Sequence, residues 1–140
     1  KKGSPESMQL NPSYKDVVGE IKAYLTHMCD LAYSAGVSKD KLVVDPGIGF
    51  GKLLEHNMAI LNALTEFSEI GYPVMIGTSR KRSLQEICGT RTPSELEGAT
   101  CATTALGVQS GATIFRGHDV KANRQAADVA WAVLNYKFGK

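Results

Sequence analysis

An α/β fold with parallel strands is predicted by three observations. Short apolar runs alternate with longer helical patterns. Each run passes directly into a polar loop. Glycines close the helices that precede the runs. Strands separated by helices make a parallel sheet with right-handed crossovers.

The first helix is expected over 13–35. Val17, Ile21, Tyr24, Leu25, Met28 and Leu31 recur at helical spacing, with Pro12 and Ser13 at the start and Gly36 at the end. Leu42-Val43-Val44 opens a strand at 42–45 that reads as buried on both faces. A glycine-rich loop follows. The second helix is expected over 54–70, with Met58, Leu61, Leu64 and Phe67 as its stripe and Gly71 closing it. The second strand, 73–77, runs into Thr78-Ser79-Arg80-Lys81-Arg82, which opens a short helix reaching Cys88. The third long helix carries an N-terminal signature. Thr92 is its expected N-cap, Pro93 its first residue, and Glu95 completes a capping box. That helix stops at Gly111. The third strand, 112–116, leads through Gly117-His118-Asp119 into a last helix over 121–136.

Three strands are too few for a flavodoxin-like sheet, which normally supplies about five, and a full barrel needs about 250 residues. The expectation is therefore the C-terminal portion of a (β/α)₈ TIM barrel. Its three parallel strands, about 42–45, 73–77 and 112–116, carry flanking helices. Residues 1–140 then form part of one domain whose N-terminal strands are absent.

A net charge of +2 lacks the basic excess of a nucleic-acid module. No apolar run approaches the roughly 20 residues of a membrane span. Lys1-Lys2-Gly3-Ser4-Pro5 has no apolar stretch behind it, so no signal peptide is expected. Cys29, Cys88 and Cys101 form no CxxC pair and read as small buried residues in a reducing, cytoplasmic setting. His27 and His56 read as surface residues on helices. The histidines and cysteines show no metal-ligand spacing.

The chemistry collects after the strands, on what a parallel sheet makes one rim. The first ending supplies Asp45 and Lys52, with three glycines between them. The second supplies Ser79, Arg80, Lys81 and Arg82. The third supplies Arg116, His118 and Asp119. Arg116 and His118 are two apart and point to one side if the strand stays extended. Cations beside helix N-termini suit a phosphate or pyrophosphate. A lone carboxylate suits the paired N–H donors of a heterocycle such as an aminopyrimidinone. Each feature has a plainer reading. Asp45 before Pro-Gly fits a turn, 79–82 fits a solvated helix start, and His118-Asp119 fits a cap.

The three strand ends, in this order, resemble dihydropteroate synthase. The residues that carry the resemblance are Asp45-Pro46-Gly47-Ile48-Gly49-Phe50-Gly51-Lys52, Ser79-Arg80-Lys81 and Arg116-Gly117-His118-Asp119-Val120. Gly3-Ser4-Pro5-Glu6-Ser7-Met8-Gln9, Asn11-Pro12 and Tyr14-Lys15-Asp16-Val17-Val18 resemble the segment after that family's fifth strand. The resemblance implies a cytoplasmic transferase of folate biosynthesis. It joins p-aminobenzoate to 6-hydroxymethyl-7,8-dihydropterin pyrophosphate and releases 7,8-dihydropteroate and pyrophosphate.

By the same resemblance, Asp45 holds the pterin's N–H edge. Lys81 bonds the pterin beside the p-aminobenzoate pocket, and Phe50 packs near the aminobenzoate ring. Arg116 stacks on the pterin and reaches the pyrophosphate, with His118 as a phosphate donor. Lys81, Arg116 and His118 are then the catalytic set. Sulfonamides compete with p-aminobenzoate. Mg²⁺ accompanies the pyrophosphate, with its main protein ligand upstream of Lys1. Family members commonly pair as homodimers through C-terminal helices. Two positions depart from the family pattern. Gly117 stands where valine is usual. Arg82 stands where many members have a serine that binds the aminobenzoate carboxylate, and an arginine can bind a carboxylate too.

The implied reaction needs no covalent nucleophile, and the strand ends offer no Ser-His-Asp or Cys-His arrangement. Fixed cations stabilise charge on a departing pyrophosphate. The 140-residue piece alone is expected to be inactive. Two other readings are a methyltetrahydrofolate-binding corrinoid methyltransferase domain and a non-catalytic barrel fragment. The strand-end cations oppose the first, whose substrate carries no pyrophosphate.

Overall fold

The computed structural model describes residues 12–137, so the family-like stretch at 3–9 and Asn11 lies outside the described residues. Helix α1 (Val17–Ser34) begins later than Pro12 and Ser13 suggest. Asp16 caps it by accepting the Gly19 N–H at 3.0 Å. Gly36 takes φ +92 beyond its end. The buried side of α1 is also shifted. Cys29 is buried and Val18, Ile21 and Leu25 pack on the core, while Tyr24, Met28 and Leu31 are exposed.

Three chain segments lie side by side and parallel, in chain order. Strands β1 (Met75–Ile76) and β2 (Ile114–Phe115) pair Met75 with Ile114 and Ile76 with Phe115. The expected strand at 42–45 is reduced to a parallel bridge between Val44 and Val74. Val44 N–H donates to the Pro73 carbonyl at 2.9 Å, and Met75 N–H donates to the Val44 carbonyl at 2.8 Å. Val43 is 47 % exposed, so burial on both faces is incorrect for this segment. The other two strands are likewise shorter than 73–77 and 112–116 suggest.

The expected helix over 54–70 is two helices, α2 (Leu54–Asn62) and α3 (Leu64–Ser68). Ala63, at φ −103 and ψ 21, breaks them apart, and its N–H is shared between the carbonyls of Ala59 and Ile60. The buried face follows Asn57, Ile60, Leu64 and Phe67, whereas Met58 and Leu61 lie at its margin. Ile60, Leu64 and Phe67 join Val44, Ile48, Val74 and Ile76 in the core. Each side chain so buried contributes about 1.5–3 kcal/mol from lost water contact.

Helix α4 (Arg82–Cys88) ends at Gly89 in the left-handed region, φ +67. The Thr92 capping box does not form. A 3₁₀ turn at Pro93–Leu96 precedes α5 (Glu97–Gln109), and the Thr92 side chain caps nothing. Thr90 takes over instead, bonding the Glu95 carboxylate and accepting the Thr92 N–H at 3.2 Å. Helix α5 packs closely on the sheet because Gly107 has no side chain. A Cβ there would lie 2.7 Å from Ile76 and 2.8 Å from Phe115. Its threonines are satisfied internally, Thr103 with Thr78 at 2.7 Å and Thr104 with Asn123 at 2.7 Å.

Helix α6 (Val120–Asn135) is capped by Asp119, which accepts the Ala122 N–H at 2.9 Å, so Asp119 is a cap as its plainer reading holds. Cys29 is buried, Cys101 half-buried and Cys88 exposed, so burial holds for only part of the set. Among the described residues no helix is long and apolar enough to cross a membrane.

Candidate functional site

The segment from Asp45 to Lys52 folds into a loop closed largely by its own bonds. Asp45 Oδ1 accepts the Gly47 N–H at 2.7 Å, which realises the turn reading while leaving the residue exposed. Gly47, Gly49 and Gly51 take φ of +74, +79 and +62, where side chains are rarely tolerated. Lys52 is only 6 % exposed and points inward, donating to the carbonyls of Gly47 at 2.9 Å and Phe50 at 3.1 Å. It is thus a brace of the loop rather than a free rim cation. Burial, partly opposed by the Asp45 charge, brings its pKa down to about 8.

Two further groups secure the loop from outside. Asn57 is buried on α2, where it accepts the Gly49 N–H at 2.7 Å and donates to the Leu53 carbonyl at 2.9 Å. The sequence signal for it is a polar residue in register with Ile60, Leu64 and Phe67. Tyr14 donates to the Gly51 carbonyl at 3.2 Å and stands edge-on to His56 at 5.1 Å. His56 in turn accepts the Leu53 N–H at 3.1 Å, so it belongs to the helix start and not to the open surface. His27 is exposed as expected.

The second strand end turns sharply. Thr78 and Ser79 are buried, and Arg80 sits at φ +58, a conformation costing about 1–2 kcal/mol outside glycine. Lys81 then crosses back over the first loop. Its ammonium bonds the Ile48 carbonyl and lies 4.5 Å from the Phe50 ring centroid. Burial, opposed by the Asp45 charge and aided by those of Arg116 and Lys52, brings its pKa down to about 8. Gly49 makes room for this crossing, since a Cβ there would lie 2.8 Å from the Lys81 Cδ.

At the third strand end Arg116 is exposed, and its guanidinium has no hydrogen bond or ion pair among the described residues. His118 Nδ1 lies 2.8 Å from the Ser79 hydroxyl. Gly117 is not forced by its surroundings, because a Cβ there would meet only ordinary contacts at 3.5–3.7 Å.

These groups line adjoining clefts. Lys81, Arg116 and His118 share one of about 340 Å³ with Ser79. Phe50, Lys81 and Arg82 share a second of about 540 Å³ with Glu86. Asp45 lines a third, of about 290 Å³, beside Tyr14 and Tyr24. Lys81 belongs to the first two and feels the charge of Asp45. A larger cavity of about 740 Å³, between β2 and α6, is lined mainly by apolar groups such as Phe115 and Trp131. The cleft of about 340 Å³ alone concentrates two cations, Lys81 and Arg116, and an imidazole, which is what an anion requires.

Comparison with known proteins agrees with this geometry. The family model described as pterin binding enzyme matches residues 1–118. Dihydropteroate synthase from Neisseria meningitidis is 41 % identical over 135 residues, covering 94 % of this chain and 47 % of that protein. The Thermus thermophilus dihydropteroate synthase, solved in complex with 6HMPPP and separately with 4-aminobenzoate, superposes with TM-score 0.89 at 42 % identity. The match with the first complex covers 94 % of this chain and 52 % of that one. The Yersinia pestis enzyme, solved with a sulfonamide drug, superposes at TM-score 0.92 with 33 % identity, covering 97 % of this chain and 49 % of that one. The chain therefore spans about half the length of the relatives it matches. With residues 1–118 matched by the family model, the chain belongs to the pterin binding enzyme family.

Proposed function

We propose that this chain is the C-terminal part of a (β/α)₈ dihydropteroate synthase barrel and contributes the cationic wall of its active site. The convergence of Lys81, Arg116 and His118 on one cleft carries this reading. The amine of p-aminobenzoate attacks the pterin's exocyclic methylene carbon. A C–N bond forms as the C–O bond to pyrophosphate breaks, and the amine gives up a proton. Negative charge grows on the departing pyrophosphate, where Arg116 and His118 donate to it and Lys81 adds a fixed cation. Arg116 is planar, so it can stack on the pterin and donate at once.

Asp45 holds the pterin's N–H edge. Its Oδ1 already accepts one backbone N–H, and a carboxylate retains further acceptor sites. The cleft of Phe50, Lys81 and Arg82 suits p-aminobenzoate, the ring against Phe50 and the carboxylate toward Arg82. Sulfonamides compete there. The solved relatives that hold 6HMPPP, 4-aminobenzoate and a sulfonamide drug support these classes of ligand.

The described residues contain no group of His, Cys, Asp and Glu that could hold a metal ion. In this reading Mg²⁺ would accompany the pyrophosphate, with its main protein ligand upstream of Lys1. The same reading includes a cytoplasmic homodimer formed through C-terminal helices. The exposed Val129, Trp131, Val133 and Leu134 of α6 support such pairing.

The test is a binding titration on the protein that carries this chain. The pyrophosphate-bearing dihydropterin should bind at least about tenfold better than the corresponding alcohol, and Arg116→Ala should shrink that preference. Equal affinity for the two ligands removes the cationic-wall argument and favours a pterin site of the methyltransferase kind. The 140-residue polypeptide by itself is expected to show no turnover.

A further inference from the structure

The Ser79 hydroxyl makes two contacts with one residue 39 positions away. Its oxygen accepts the His118 backbone N–H at 3.2 Å, and it lies 2.8 Å from His118 Nδ1. A hydroxyl has two lone pairs and one proton. The backbone N–H occupies a lone pair, which leaves the proton free to point at Nδ1. Ser79 is 8 % exposed, and no other acceptor for that proton appears among its described bonds. Against a neutral imidazole, an Nδ1 that accepts and an Nε2 that carries the ring proton give each of these groups a protein partner.

We propose that Ser79 is a positioning residue that holds neutral His118 in the Nε2–H form and aims that N–H into the cleft shared with Arg116 and Lys81. The ring edge bearing Nδ1 meets the buried Ser79, so the opposite edge, bearing Nε2, faces the open side of an exposed residue. The neighbouring backbone needs such a hold. Gly117 offers no side chain to pack between the two strand-end groups, and glycine leaves the chain free to swing. The far side is pinned separately, where the Asp119 carbonyl accepts from the buried Asn123 amide at 2.8 Å. Ser79 thus converts a residue with two tautomers and several rotamers into one fixed donor for an anion. The tautomer assignment stands on this geometry alone. Only the identity of the anion rests on the proposed function.

The test is a two-bond ¹H–¹⁵N correlation spectrum of the ¹⁵N-histidine-labelled protein that carries this chain. The His118 ring signals are identified by their disappearance in His118→Gln. In the unaltered protein, neutral His118 should show an unprotonated Nδ1 and a protonated Nε2. Ser79→Ala should replace this pattern by averaged tautomers and weaken inorganic pyrophosphate binding by about 3–10-fold, and Ser79→Thr should restore both. A ring protonated on Nδ1 in the unaltered protein overturns the proposal without any variant. Ring signals that Ser79→Ala leaves unchanged overturn it as well. Either result can coexist with an intact preference for the pyrophosphate-bearing pterin, so failure here is distinguishable from failure of the proposed function.

Discussion

The first and third strand ends are built in opposite ways. Asp45 to Lys52 is a finished loop, with its carbonyls engaged by Lys52, its amides by Asp45 and Asn57, and three glycines bearing the positive φ angles. Arg116 to His118 is sparsely held. Its guanidinium is unpaired among the described residues, its middle residue is glycine, and Ser79 supplies the side-chain hold on His118. The loop has been paid for during folding and can receive a rigid heterocycle. The third end leaves its cation free of protein partners among the described residues, as the proposed anion site requires. Preorganisation on one side and a free cation on the other is what the proposed function asks for, with a ring gripped and a charged group released.

The largest effect should come from separating charge from scaffold in the finished loop. Asp45→Asn keeps an oxygen to accept the Gly47 N–H but removes the negative charge. Pterin affinity is expected to fall by about 10–100-fold, while the urea midpoint barely moves. A variant that binds pterin normally would reduce Asp45 to a turn residue.

Gly49→Ala attacks the loop's geometry instead. An alanine at φ +79, with its Cβ 2.8 Å from the Lys81 Cδ, should lose about 1–3 kcal/mol of stability and displace Lys81. Denaturant unfolding measures the first effect and the Phe50–Lys81 contact in a variant structure the second. Unchanged stability would show that the loop is softer than its bonds suggest.

The braces give a pH signature. The folded pKa of Lys52 is about 8 against an ordinary 10.5, so between these values the unfolded chain binds more protons. Stability from this group is therefore lowest below about pH 8 and rises as pH climbs toward 10.5. Compared with Lys52→Met, the unaltered protein should gain about 1–2 kcal/mol between about pH 8 and pH 10. A gap that stays constant across that range would mean that Lys52 is not held in a dry setting.

The smallest change is expected at the loosely held end. Gly117→Ala places its Cβ at ordinary contact distance from Asn123 and Ser79. Stability should change by no more than about 1 kcal/mol, most simply upward through a less flexible unfolded chain. A larger loss would reveal that Gly117 is needed by the backbone after all.

Much of this was legible along the chain because its signals are local. A glycine after an apolar helix marks an end, and polar residues after an apolar run mark a strand terminus, so Asp45, Lys81, Arg116 and His118 could be named in advance. The misread elements depended on neighbours. Val43 looks like core and lies exposed, because only Val44 of that run meets β1. The continuous stripe at 58–67 breaks at Ala63, which shifts the buried side to Asn57 and Ile60. The Thr92 cap lost to Thr90, which the turn after the left-handed Gly89 brings to Glu95. Phe50 was nameable only through family likeness, since an aromatic residue in a glycine loop does not stand out by spacing.

By itself, the sequence determined the chemical types at each strand end and the sites where the backbone must take positive φ, because both follow from residue identity and short-range sterics. Tertiary structure alone decided that Lys81 crosses back over the first loop to serve two clefts, and that the Ser79 hydroxyl meets the His118 ring. Those outcomes join residues 33 and 39 positions apart. They depend on how neighbouring strands stagger and on which charge loses its water, neither of which local spacing encodes.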